Sequence, residues 1–144
     1  MRIDLLTIAH AENTTPDGKL NILGRGARVL TVDGPNHPIP LVVACGLEAT
    51  VEEAGDYPLG VRLERPDGVV EDIVMSTLTI PSEVPDPRVP TGAGLTLQLA
   101  RGFPLPGVYR LAVDVGSLAA EYVFAVVFAA DQPAGAGHSN PTDR

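Results

Sequence analysis

The chain has 144 residues, 44% of them hydrophobic, and eighteen acidic against ten basic residues give it a formal charge of −8. That length makes one domain, able to bury roughly 70% of its unfolded surface without a metal or a disulfide. An acidic domain lacks the surplus of cations that neutralises phosphates, which excludes ordinary binding to nucleic acid and to anionic membrane surfaces; the charge reads as a solubility charge.

Residues 2–10 form the first apolar run, interrupted by Asp4, Thr7 and His10. Those interruptions leave no apolar core of about 7–15 residues, as a signal peptide requires, and no run approaches the ~18 residues of a membrane span. The expectation is a cytoplasmic protein, in which the glycosylation triplet Asn13-Thr14-Thr15 carries no meaning. Pro16-Asp17-Gly18 reads as a turn: proline presets φ, aspartate bonds back to the chain and glycine accepts positive φ. Leu20 and Ile22, then Val29 to Val32, resume the strand pattern, with Gly24 and Gly26 marking a bulge or a bend where the chain passes between sheets.

After the Gly34-Pro35 and Pro38, Pro40 loop, Leu41, Val43, Cys45, Leu47, Ala49 and Val51 share one face of a strand, with Glu48, Thr50 and Glu52 opposite. Cys45 falls on the inward side, as a small buried hydrophobe rather than a reactive thiol. Tyr57 to Glu64 alternates again; Pro58 places that strand at an edge, or starts its pairing after the proline. Pro66-Asp67-Gly68 is a second turn of the same chemistry, and Val69 to Ile80 returns as a long strand. The proline-rich residues 81–94 read as a crossing connection between sheets.

Leu95, Leu97 and Leu99 open the last part of the pattern. Leu111, Val113 and Val115 follow Pro106-Gly107-Val108-Tyr109, and Gly116-Ser117 suits a two-residue hairpin with glycine first. Ala120, Tyr122, Phe124, Val126 and Phe128 return, and the opposite face, Val123, Ala125 and Val127, is apolar too. That strand is central or covered on both sides. Tyr109 is expected to bond its hydroxyl to backbone at the start of its strand, as a tyrosine corner. Residues 131–144 have the composition of a flexible Gly/Pro-rich tail.

Chemistry-bearing patterns are sparse. His10, His37 and His138 have no nucleophile in a recognisable motif, and one cysteine with scattered histidines supplies no zinc spacing. Glu52, Glu53, Asp56 and Asp131 can meet at one end of a sandwich, but without the Asp-rich repeats of calcium loops they read as solvated acids. Gly24-Arg25-Gly26 and Gly92-Ala93-Gly94 lack the strand–helix context of a phosphate loop. Pro87-Arg88-Val89-Pro90 fits a polyproline ligand in spacing alone. No catalytic, cofactor-binding or metal residue is assigned.

The runs Asp4-Leu5-Leu6-Thr7-Ile8-Ala9, Asp17 to Gly24 and Pro106 to Leu111 resemble a family of short bacterial proteins known only as a domain of unknown function. The Asp17–Gly24 block is its most specific part, and the likeness covers most of residues 2–129. It implies a bacterial cytosolic β-domain and brings no functional residues with it.

The sequence therefore reads as an all-β protein, an immunoglobulin-like antiparallel β-sandwich of about eight strands over residues 1–130, followed by the tail. Its expected function is a non-enzymatic protein-binding or assembly module with no cofactor, whose partner is another protein or a second copy. The alternative is a small-molecule or glycan-binding sandwich using the 33–40 and 81–94 loops, with an enzyme third. A binding module calls for an uncovered apolar patch, such as Val123, Ala125 and Val127, or an open edge strand. A ligand binder calls for a deep pocket, and an enzyme for His10 or His37 beside Ser, Asp or Glu in a cleft.

Overall fold

The computed structural model describes residues 1–14, 16, 20–24, 26–83, 86–88 and 91–131. The Asp17-Gly18 part of the first turn, Thr15, Arg25, Val89 and Pro90 of the polyproline spacing, and His138 with residues 132–144 of the tail lie outside them.

Strands dominate, with two single-turn 3-10 helices, one at Val51–Glu53 between strands and one at Ala129–Asp131 after the last strand. Strands β1 (Arg2–Ala9), β5 (Ile39–Ala49) and β8 (Thr91–Arg101) form a three-stranded sheet in the order β1-β5-β8. A five-stranded sheet runs β4-β10-β9-β6-β7, with β4 at Val29–Val32, β6 at Gly55–Glu64, β7 at Val70–Ile80, β9 at Gly107–Val115 and β10 at Leu118–Phe128. A separate ribbon pairs β2 (Ala11–Thr14) with β3 (Leu20–Leu23).

Two-fold periodicity builds the core. Ile8, Leu41, Val43, Cys45 and Leu47 of the small sheet meet Leu59, Val61, Leu63, Leu111, Val113, Phe124 and Val126 of the large one in a single buried cluster. Burying each of these side chains contributes on the order of 2 kcal/mol. Phe103, from the connection before β9, fills the cluster edge-on to Tyr109 at 5.1 Å and to Phe124 at 6.0 Å. The Tyr109 hydroxyl donates to the Leu105 carbonyl at 2.8 Å, so the expected corner forms.

Several local expectations meet the structure directly. Gly68 N–H donates to Arg65 O at 3.0 Å with φ of 81°, while Val69 N–H donates to the Asp67 carboxylate at 3.3 Å, as a Pro-Asp-Gly turn requires. Gly24 and Gly26, at φ of 67° and 82°, turn the chain from the ribbon into β4 of the large sheet. Gly116, at φ of 59°, closes the β9–β10 hairpin.

Other features depart from the sequence reading. Strand β4 pairs parallel with β10, from Val29 beside Ala125 to Val32 beside Phe128. A parallel neighbour needs a long crossover, and here five intervening strands supply it. Strand β6 is internal, between β9 and β7; its ladder with β9 begins at Leu59, one residue after Pro58. Strand β8 starts at Thr91, so Gly92, Ala93 and Gly94 lie in a ladder with β5 rather than in a loop. Val51 leaves the strand for the first 3-10 turn.

The two outer faces differ. On the small sheet, the outward residues Thr7, Ala9, Val42 and Ala44 are buried, and β2 lies against β5. Buried Thr7 is satisfied there: its hydroxyl accepts from Gly26 N–H at 3.0 Å and donates to Ile8 O at 3.3 Å. No comparable cover lies over the outer face of the large sheet among the described residues.

Candidate functional site

Register fixes what that open face carries. Opposite every buried side chain of β4, β10, β9 and β6, the next residue points outward. One row runs Val29–Ala125–Val108 across β4, β10 and β9. The following rows are Val123–Arg110–Glu64–Val70, then Glu121–Ala112–Arg62–Asp72, then Ala119–Asp114–Gly60–Met75. Met75 is 72% exposed, Val29 58%, Val70 56%, Val108 54% and Val123 36%. Five of the six exposed large hydrophobics of the described chain thus lie on one face, the sixth being Val69 next to Val70. Isolated surface valines need no explanation, but a concentration on one sheet does.

The face is shallow. A depression of about 590 Å3 lies between β7, β6 and β9, walled by Met75, Arg62, Asp72 and Asp114 and floored by Gly60. A small residue leaves this trough: a Cβ at Gly60 would reach to 3.5 Å from Met75 Sδ and 3.8 Å from Asp114 Oδ2. Arg62 bonds the Asp114 carboxylate, and Arg110 lies 3.8 Å from Glu121. Asp56 accepts from the Thr79 hydroxyl at 2.6 Å. Glu64 and Asp72 have no cationic partner among the described residues.

The sequence pointed to part of this face. β10 is central, between β4 and β9; Val123 on its outer face is exposed, as a binding module calls for, while Ala125 and Val127 are half-buried beside β4. Val29, Val70, Met75 and Val108 were missed, because only cross-strand register brings them beside Val123. The signal available in the sequence was an apolar residue on the outward parity, as Val108 and Ala112 flank Arg110.

The remaining candidates do not come together at one site. His37 Nε2 lies 3.6 Å from Asp33 Oδ2 on an exposed loop, and His10 is exposed where β1 ends. Glu53 accepts from Thr50 N–H at 2.9 Å and its carboxyl is held below its usual range, chiefly by a hydrogen bond from the α-amino group of Met1. No three of the His, Cys, Asp and Glu side chains gather as a cation site among the described residues, so Glu52, Glu53, Asp56 and Asp131 do not converge. Cys45 is buried; desolvation, with a smaller contribution from Asp4, pushes its thiol up to about 11. The 33–40 and 81–94 loops contract to shorter segments, since Ile39, Pro40 and Thr91 to Gly94 belong to strands.

An ionic cluster that the sequence did not suggest ties the sheets together at one rim. Arg101, ending β8, bonds the Glu71 carboxylate at the start of β7. Arg65 lies 3.6 Å from the same carboxylate and 2.7 Å from Asp67. Glu71 points inward because β7 carries a bulge at Ile73: Val74 pairs with Val61, yet Asp72 pairs with Arg62. This cluster staples two sheets; its charges balance.

A family model matches residues 4–127. The chain belongs to DUF6941, a family of unknown function. No curated relative matches this DUF6941 chain in sequence. Among solved structures it is similar to a β-glucosidase from Listeria innocua in complex with glucose, at 14% identity and a TM-score of 0.50 over 69% of this chain and 15% of that one. It is also similar to Pseudomonas fluorescens alkylpurine DNA glycosylase AlkC bound to DNA containing an abasic site analog, at 12% identity and a TM-score of 0.50 over 87% of this chain and 30% of that one. The chain thus spans less than a third of either protein, and such likeness speaks to fold alone. No helix among the described residues is long and apolar enough to cross a membrane.

Proposed function

We propose that this protein is a non-enzymatic binding module that docks another protein on the outer face of its five-stranded sheet. The observation that carries this reading is the concentration of Met75, Val29, Val70, Val108 and Val123 on the uncovered face. The small sheet, by contrast, buries its own outward residues. The flat trough suits a partner surface better than an enclosed small molecule, which needs a concave site burying most of its area. Under this reading the frame is an immunoglobulin-like sandwich of a bacterial cytosolic protein, supported by the Tyr109 corner and the two packed sheets.

The test compares capture of companions from the native host by the parent chain and by Val108→Arg. An exposed substitution of this kind leaves the folding stability within about 0.5 kcal/mol of the parent. A stoichiometric companion kept by the parent and lost by Val108→Arg supports docking on this face. Equal retention by both chains contradicts it.

A further inference from the structure

We propose that the partner docked on this face, in the reading above on which this rests, presents lysine or arginine side chains among aliphatic ones. Five outward carboxylates (Asp56, Glu64, Asp72, Asp114 and Glu121) face two outward guanidiniums, Arg62 and Arg110, leaving a net charge of −3. Both guanidiniums are already engaged, by Asp114 and Glu121. The unmatched charge is therefore local: Glu64 stands directly across from exposed Val70, and Asp72, one row on, lies between Val70 and exposed Met75 on β7. Away from them, at the β4–β10–β9 end, the face is aliphatic, with Val29, Ala125 and Val108 in one row. The nearby Arg28 is turned to the edge of β10, where it donates to Val123 O at 2.8 Å and lies 4.1 Å over the Tyr122 ring.

A partner covering the patch must desolvate Glu64 and Asp72. Burying a carboxylate is costly unless a cation meets it, so the complement is basic opposite β6–β7 and aliphatic opposite β4–β10. A second copy of this chain fits badly. It brings the same surplus of carboxylates to the contact, and both of its outward guanidiniums are already engaged.

The probe is a short peptide of alternating lysine and valine, titrated into the isotope-labelled full chain and followed by backbone amide shifts. Glutamate–valine and lysine–serine peptides of equal length are the comparisons. The expected result is saturable shifts at Gly60, Arg62, Asp72, Met75 and Val108, at an affinity roughly tenfold above either comparison peptide and falling as salt is raised. Combining Glu64→Gln with Asp72→Asn removes that preference. Equal binding of the three peptides, shifts confined to β1 and β8, or a dimer in sedimentation that Met75→Arg dissociates overturns the assignment. If a natural companion is lost on Val108→Arg while the lysine–valine peptide shows no preference, the charge assignment alone fails. If that companion ignores Val108→Arg, the docking reading fails with it.

Discussion

The Tyr109 ring stacks on Phe124 at 5.7 Å, with the planes 17° apart, and the two residues are direct cross-strand partners in the β9–β10 ladder. Their pairing fixes which faces of both strands look inward, and the hydroxyl bond to Leu105 locks the entry to β9. Tyr109→Phe keeps the ring and removes that bond. It is expected to cost about 1 kcal/mol in urea unfolding, with an unchanged slope. An unchanged midpoint contradicts a structural role for the hydroxyl.

Cys45 sits between β1 and β8 partners, Leu6 and Leu95, inside the small sheet. Burial raises its thiol from an ordinary 9.0 to about 11, so the folded chain holds the proton more tightly than the unfolded one. Stability linked to this group is complete below pH 9 and is lost as pH climbs from 9 towards 11. Unfolding midpoints measured across that window should fall more for the parent than for Cys45→Ala. Rapid labelling of Cys45 in the folded state at neutral pH contradicts the burial.

Gly102 is pressed against the 33–38 loop. A Cβ built there meets Asn36 O at 2.5 Å and the Asn36 carbonyl carbon at 2.6 Å, both backbone atoms, while Asn36 N–H donates to Phe103 O at 2.9 Å. Backbone cannot yield as a side-chain tip does, so Gly102→Ala should destabilise by roughly 1–3 kcal/mol. Thermal unfolding reads the effect, and an unaltered melting temperature contradicts the close approach.

Much of the fold was legible in the sequence because it is local. Leu41, Val43, Cys45 and Leu47 declare their buried side by alternation, and Pro66-Asp67-Gly68 declares its turn by chemistry. The parallel β4–β10 pair was not legible, since four residues from Val29 to Val32 carry no information about a neighbour nearly a hundred positions away. The bulge at Ile73 was hidden for a related reason: a one-residue slip is invisible until the partner strand is known. The candidate face depends on both features, so only its β10 portion, Val123 to Val127, could be read from the chain.

The Arg101–Glu71–Arg65 cluster rests on that same bulge, which turns Glu71 inward. Glu71→Gln leaves two partly buried guanidiniums facing one another without their shared carboxylate. The expected loss is about 1 kcal/mol, reduced by added salt because the groups remain partly solvated. A variant as stable as the parent at low salt contradicts a stapling role.

Photo-crosslinking in the host cell tests the docking face most directly, with benzoylphenylalanine placed at Val108 and, as a control, at Arg2 on the small sheet. One discrete crosslinked species is expected from position 108, absent from position 2 and lost when Met75→Arg is added. The same species from both positions, or none from position 108, contradicts it.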